Sequence, residues 1–265
     1  MVHINKELIK KLRLKSGIGI LDCKKALIDS DGNFDKAIVI LKKRGYVKAE
    51  NKIKNSTLRG IIATHVLEQY SCILELNCET DFVEQHANFV QFAQKILYTI
   101  HKEKIYHLNL LNDFFKKERL SLIAQFGENI VIRRFSILNG EFLFSYIHRN
   151  KIGVLLSSES YNTLVMKKIS MHIIANNPDY LKRESIPNAI LEREKEIQVD
   201  IAMKSGKPEF IAQKIVSGRI EKFIQNICLL EQSCVFDTDI VMKDFLLQNN
   251  FKIVQFIRFE LGEEI

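Results

Sequence analysis

The first 54 residues carry apolar positions at helical spacing in three short runs. Leu8 and Leu12 lie four residues apart and mark the inner face of a first helix. The segment Ser16-Gly17-Ile18-Gly19 interrupts that helix, and Asp22 is the predicted N-cap of a second one. This pattern predicts a small helical module at the start of the chain.

A third helix follows a polar turn. Phe34, Ile38 and Leu41 are spaced by four and three residues, which places them on one helical face. Gly45 is a plausible C-terminal stop for this helix. The basic polar stretch 48–54 then reads as a linker.

The period changes from helix to strand after residue 55. The branched apolar segments 60–67 and 72–77 flank a short polar turn and predict a β-hairpin. Residues 109–125 suggest another helix, and 129–135 a later strand. Between hairpin and later strand we predict a helix whose core face carries Val83, Ala87, Val90, Ala93, Leu97 and Ile100.

The same order of elements then recurs. Segments 142–147 and 152–156 predict a second hairpin, 164–175 a helix and 251–260 a late strand. The chain therefore predicts an α+β fold with a degenerate duplication of one α/β unit. The predicted division is a three-helix module with its linker over 1–54, a first unit over 55–140 and a second over 141–265.

The second unit contains an inserted pair of helices over about 187–232. Residues 205–208 form a tight break between the two helices. The narrow apolar seam predicts an antiparallel helical hairpin that either packs on the body or projects as an arm for contact, with residues Ile190, Ile197, Ile201, Val216, Ile220, Phe223 and Ile227.

The composition adds a moderate basic charge. The formal net charge is +7 and the pI about 9.0, with much of the excess between Lys10 and Lys54. Such a charge indicates a solvated basic face, a face that meets an acidic protein or a surface that binds nucleic acid. No apolar run long enough for a membrane span occurs, and the charged N-terminus lacks the apolar core of a secretory signal, so we expect a cytoplasmic protein.

The sequence offers little for catalysis or metal binding. The five cysteines form no C-x-x-C pair, which suits a reducing compartment, and Cys72 and Cys78 read as buried apolar residues. There is no zinc-binding histidine motif, phosphate loop or nucleophile elbow. We expect no cofactor, no metal and no enzymatic activity.

Two segments carry a resemblance to a known family. Ser16-Gly-Ile-Gly-Ile-Leu-Asp-Cys-Lys-Lys-Ala-Leu27 and Glu75-Leu-Asn-Cys-Glu-Thr-Asp-Phe-Val83 resemble the signature segments of bacterial elongation factor Ts. Residues 145–148, 200–208 and 256–260 are also similar to that family, in the same order. The resemblance spans essentially the whole chain.

The resemblance implies a fold and a function. The fold is an N-terminal domain similar to ubiquitin-associated domains, two related α/β subdomains with antiparallel sheets and an inserted helical hairpin. The function is guanine-nucleotide exchange on the GTPase elongation factor Tu during translation elongation, with no covalent chemistry. The alternative is a basic nucleic-acid-binding protein that acts through the N-terminal module, although that region has few aromatic residues for stacking.

The segment Thr80-Asp81-Phe82-Val83 is the main predicted site. From the residues alone, Asp81 could be a helix N-cap paired with Glu84, and Phe82 could belong to the core. The resemblance implies instead that Asp81 and Phe82 insert beside the magnesium and phosphate site of the GTPase and dislodge the ion.

Other positions are assigned to the partner interface by the resemblance. For Ile20, Leu21, Val235 and Phe236 the alternative is core packing, and for His148 a polar place on an edge strand. The interface set is Arg13, Ile20, Leu21, Lys24, His148, Val235 and Phe236.

The chain departs from the family pattern at Ser16, at Ile20-Leu21, at Ile147 and at its C-terminal end. Ser16 stands where members usually carry Thr, a change that preserves the hydroxyl. The chain ends at 262–265, where several members continue into a further helix, so we expect a smaller contact with the partner. The sequence leaves open self-association, the role of the helical hairpin and the orientation of the N-terminal module.

Overall fold

The computed structural model describes residues 5–204 and 209–264. Within these ranges the helices are α1 Lys6–Ser16, α2 Ile20–Asp29, α3 Phe34–Lys52, α4 Asp81–Glu84, α5 Ala87–Lys102, α6 Leu108–Phe126, α7 Thr163–Asn176, α8 Asn188–Lys204, α9 Glu209–Ile227 and α10 Met242–Gln248. The strands are β1 Arg59–Leu67, β2 Tyr70–Cys78, β3 Val131–Asn139, β4 Phe142–His148, β5 Ile152–Ser158, β6 Ser233–Cys234, β7 Asp237–Val241 and β8 Ile253–Glu260.

The predicted N-terminal helices α1, α2 and α3 are present and enclose their own small core. Leu12, Cys23, Leu27 and Leu41 are buried at its centre. The prediction that Asp22 is the cap of α2 is wrong, because α2 begins at Ile20 and Asp22 lies inside its first turn. An acidic side chain still stabilises that position through the helix dipole.

Helix α3 does not stop at Gly45, as the sequence pattern predicted, but continues to Lys52. The basic stretch predicted as a linker is therefore mostly helical. Gly45 is buried, and a β-carbon added to it would lie 2.8 Å from the β-carbon of Ala124 on α6. The glycine thus serves the close crossing of α3 and α6 and does not end the helix.

Two three-stranded antiparallel sheets form the body of the protein. Their strand orders are β1-β2-β3 and β4-β5-β8. In each sheet a hairpin is completed by a later strand that pairs antiparallel with the hairpin's second strand. This shared topology matches the predicted repetition of elements, and the predicted α+β class is confirmed.

The two sheets pack against each other through one apolar cluster. Ile62 and Ile73 come from the first sheet, and Leu155 and Phe259 from the second. At Gly153 the approach is so close that a β-carbon would lie 2.6 Å from the Ile62 side chain. Separate apolar clusters lie between each sheet and its helices.

The helix predicted after the first hairpin is divided. Helix α4 ends at Glu84, and α5 starts at Ala87 with His86 as its N-cap. Ala87 and Val90 are exposed, so their placement on the core face is wrong. The buried face of α5 is Phe89, Phe92, Ala93, Ile96, Leu97 and Ile100.

The inserted helices α8 and α9 pack on each other as predicted. Ile197 and Ile201 are 44% and 46% exposed, however, so their placement in the apolar seam is wrong. Ile186, Ile224 and Cys228 are buried at their base, and Ala202, Ala212 and Val216 farther out. The predicted break at 205–208 lies outside the described residues. The short ribbon β6-β7 and helix α10, which the sequence pattern did not indicate, follow α9.

Candidate functional site

The short helix α4 holds Asp81 and Phe82 at the protein surface. Thr80 is its N-cap residue, in extended conformation, and makes no side-chain capping bond. Phe82 is 85% exposed, and Asp81 is exposed as well. Val83 is 5% exposed and anchors the helix in the core. Both alternative interpretations are therefore wrong, because Asp81 is not the cap and Phe82 is not a core residue.

A carboxylate outside α4 holds its N-terminal end. Glu128, which follows α6, accepts hydrogen bonds from the Thr80 backbone N–H at 3.0 Å and from the Thr80 hydroxyl at 2.8 Å. The Cys78 thiol donates to the Thr80 carbonyl at 3.1 Å. Burial, and then the negative charges of Glu84 and Glu128, raise the pKa of Cys78 to about 12, so it remains a protonated donor.

A second carboxylate holds the other end of α4. Glu84 Oε2 accepts from the Gly60 N–H at 3.2 Å and from Lys151 Nζ at 2.5 Å. Lys151 Nζ also donates to the Gly60 carbonyl at 2.9 Å. Lys151 closes the β4–β5 turn, and its N–H donates to the carbonyl of His148 at 3.0 Å. The turn that begins at His148 is thereby joined to α4.

His148 is the last residue of β4 and is exposed. Because β4 is an edge strand of its sheet, the position agrees with the edge-strand interpretation. The bonds of Glu84 and Lys151 thus connect the segment that carries Phe82 with the turn that follows His148. Spacing in the sequence gave no sign of this, because Glu84 and Lys151 are 67 residues apart.

Four predicted interface residues lie on the N-terminal module. Arg13 is exposed in the last turn of α1, and Lys24 is exposed on α2. Ile20 and Leu21 are 50% and 73% exposed, so their interpretation as core residues is wrong. Leu14, which the sequence analysis missed, is 79% exposed beside Arg13. Its position two residues beyond the buried Leu12 puts it on the opposite helical face and could have revealed it.

Val235 and Phe236 occupy the turn between β6 and β7. They are 44% and 38% exposed. The Phe236 ring packs edge-on against Phe245 at 4.8 Å, with the Lys168 ammonium 5.1 Å from the Phe236 ring centroid. Phe236 is thus partly a packing residue, because its ring contacts Phe245 and Lys168 while 38% of the residue stays exposed.

The fully buried His172 holds the β6–β7 turn through a hydrogen bond to its backbone. The Val235 N–H donates to His172 Nδ1 at 3.3 Å, and His172 Nε2 bonds Gln232 Oε1 at 2.8 Å. Nδ1 accepts, so the imidazole is neutral. Burial lowers the pKa of His172, although the bond to Gln232 acts in the opposite direction.

Metal-binding clusters and membrane-spanning helices are both absent from the described residues. Across 5–204 and 209–264, no group of three or more His, Cys, Asp or Glu side chains is arranged to hold a metal ion. In the same ranges no helix is long and apolar enough to cross a membrane. Exposed apolar side chains on firmly held turns are features of protein-binding surfaces. Fold and site together define an α+β protein that presents exposed apolar side chains on firmly held turns.

Comparison with known proteins agrees with this class. The family model described as Elongation factor TS matches residues 79–263. Elongation factor Ts of Blochmanniella pennsylvanica (strain BPEN) is 42% identical over 268 residues, which cover 100% of this chain and 98% of that protein. Elongation factor Ts of Serratia proteamaculans (strain 568) is 42% identical over 265 residues, covering 100% and 94%.

The chain belongs to the elongation factor Ts family. It is a translation elongation factor, and the resemblance drawn from its signature segments is confirmed.

Proposed function

We propose that this protein is a guanine-nucleotide exchange factor that binds the GTPase elongation factor Tu in the cytoplasm and promotes release of GDP. The observation that carries the proposal is Phe82, a phenylalanine 85% exposed beside the exposed Asp81 on a turn held at both ends. An exposed aromatic residue on a rigid support is a typical anchor for a protein partner.

Phe82 supplies binding energy. Full burial of a phenylalanine side chain between helices of the GTPase contributes roughly 1.5–3 kcal/mol. Asp81 enters next to it and brings a negative charge towards the magnesium and phosphate site of the partner. The magnesium ion neutralises phosphate charge, so its displacement weakens nucleotide binding. The protein itself makes and breaks no covalent bond.

The mechanism is linkage between two binding events. The factor binds the nucleotide-free GTPase more tightly than the nucleotide-bound form. By reciprocity, nucleotide weakens binding of the factor by the same ratio as the factor weakens binding of nucleotide. GDP leaves, and an incoming nucleotide releases the factor. The exchange is accelerated in both directions, and the nucleotide concentrations decide its outcome.

The remaining predicted residues extend the contact. Arg13, Ile20, Leu21 and Lys24 provide an exposed face on the N-terminal module, and its basic charge suits an acidic surface of the GTPase. His148, Val235 and Phe236 provide further exposed positions on the second sheet and the β6–β7 turn. Within the main segment, we assign contact to Asp81 and Phe82, and support to Thr80 and Val83.

The test is release of a fluorescent GDP from purified elongation factor Tu, followed by stopped flow. We expect wild type to accelerate release and Phe82→Ala to lose most of the effect. Phe114→Ala is the matched control, since Phe114 is 57% exposed on α6, outside the proposed interface. We also expect that exchange requires no nucleic acid, and acceleration in purified components would meet that expectation.

Three outcomes are distinct. No acceleration by folded wild type would refute the exchange function. Acceleration that survives in Phe82→Ala would refute the role of the aromatic wedge. An equal loss in Phe82→Ala and Phe114→Ala would show that the loss is not specific to the wedge.

A further inference from the structure

We infer that Glu128 and Lys151 are positioning residues, which hold the helix carrying Asp81 and Phe82 in its binding conformation before the partner arrives. The inference rests on the proposed exchange function and adds to it the residues that organise its main contact. Neither residue belongs to the contact set assigned above.

Helix α4 cannot order itself. It has four residues, and isolated helices of fewer than about 12–15 residues are marginal in water. Two of its local bonds are long, with 3.4 Å from the Glu84 nitrogen to the Thr80 carbonyl oxygen and 3.3 Å from the Gln85 nitrogen to the Asp81 carbonyl oxygen. The conformation of this helix must therefore be imposed by the structure around it.

Glu128 holds the N-cap residue Thr80 from outside the helix. In most helices the N-cap side chain accepts a backbone N–H of the first turn, but Thr80 makes no such bond. Both of its donors point instead to the Glu128 carboxylate, at 3.0 and 2.8 Å. Two bonds to one charged acceptor fix both position and rotation of Thr80, and hence the direction in which α4 starts.

Lys151 fixes the opposite end across the boundary between the two sheets. Its ammonium bonds the Glu84 carboxylate of α4 and the Gly60 carbonyl of β1. The two side chains are only 35% and 12% exposed, so solvent screens this pair less than an ion pair on the open surface. The bond also ties α4 to the turn that follows His148, so the two proposed contact regions keep a constant spacing.

Ordering α4 in advance strengthens binding to the partner, because a side chain that is ordered before association loses less conformational entropy when it binds. Without either anchor, α4 would sample several orientations. The entropy lost in returning to the binding orientation would then offset part of the free energy gained by burying Phe82. The overall fold depends on the sheets and their apolar clusters, and neither anchor side chain is a member of those clusters.

The test uses the full chain and the same GDP-release assay, with thermal unfolding recorded for each variant. We expect Glu128→Ala and Lys151→Met to accelerate exchange about tenfold less than wild type at equal concentration, the ratio that corresponds to a loss of 1.4 kcal/mol. Glu128→Gln should retain most of the activity, because a carboxamide oxygen still accepts one Thr80 donor. Lys95→Met is the matched control, since it removes the exposed ion pair with Glu118 on α5 and α6.

A double-mutant cycle separates positioning from general stability. In a Phe82→Ala background, Glu128→Ala should cause little further loss, because the anchor acts through the wedge. Independent, multiplicative losses would overturn the inference, as would wild-type exchange by folded Glu128→Ala or Lys151→Met. The wild-type chain is measured first in the same assay, and absence of acceleration there would refute the exchange function itself.

Discussion

Substitution of Gly45 by alanine tests whether α3 and α6 cross as closely as the structure indicates. The added β-carbon would lie 2.8 Å from the β-carbon of Ala124. Two carbon atoms in favourable contact are about 3.5–4.0 Å apart. Both atoms are attached directly to the backbone, so no flexible side chain can turn aside. The two helices would have to separate by about 1 Å to restore that distance.

Two opposing effects set the magnitude. Alanine is favoured over glycine in a helix interior by about 0.5–1 kcal/mol. Overpacking of a tight contact costs typically 1–3 kcal/mol. Because whole helices must move, we expect the cost to exceed the gain by about 1 kcal/mol, which lowers Tm by roughly 2–4 °C in a chain of this size.

Gly218 on α9 provides the matched control. It is exposed, and a β-carbon added there would meet nothing within 4 Å. Gly218→Ala should therefore raise stability by about 0.5–1 kcal/mol through helix propensity alone. Thermal unfolding, followed by the helix signal in far-ultraviolet circular dichroism, measures the stability of both variants.

The pairing with Ala124 is tested by a double substitution. Ala124→Gly alone should destabilise by about 1 kcal/mol, since it introduces glycine into α6. Combined with Gly45→Ala it should cost less than the sum, because the overlap is removed. Additive effects, or a rise in Tm for Gly45→Ala equal to that of Gly218→Ala, would refute the close crossing.

Three further predictions concern buried ionisable groups. Burial raises the pKa of Glu75, but hydrogen bonds from Arg133, the Gly262 N–H and Arg134 outweigh burial and lower the pKa overall. The ionised Glu75 therefore contributes its full stabilisation at neutral pH and loses it as pH falls through the lowered pKa. Glu75→Gln should lower the free energy of unfolding in urea at pH 7 by about 3–5 kcal/mol. The lowered pKa of His172 means that stability falls on mild acidification below the ordinary histidine value, and His172→Gln should flatten this dependence. Burial raises the pKa of the buried thiols Cys72 and Cys78 to about 12, so neither should react with Ellman's reagent at neutral pH until the protein unfolds.

Each of these predictions has a contrary result. A Glu75→Gln variant as stable as wild type at neutral pH would show that the arginine bonds contribute nothing net. An unchanged acid dependence in His172→Gln would assign the loss of stability to other groups. Reaction of Cys72 or Cys78 in the folded protein, located by peptide mapping, would contradict their burial.

Part of the site could be predicted from its residues, and part could not. The signature segment around Asp81 and Phe82 pointed to the family, which the comparisons confirm. Spacing alone left Phe82 between core and surface, because a break at Gln85 and His86 separates α4 from α5, so the periodic pattern of α5 does not extend to Phe82. The Glu128 anchor had no local signal, since it lies 48 residues from Thr80.

The sequence by itself determined the local elements of this protein: the helices of the N-terminal module, the two hairpins with their late strands, and the paired inserted helices. These depend on hydrophobic period and turn residues, which act between near neighbours along the chain. Only the tertiary structure decided that α3 runs through Gly45 and which carboxylates hold α4. The reason is physical: a glycine that ends a helix and one that allows two helices to touch look alike in sequence, and only the packed neighbour, Ala124, distinguishes them.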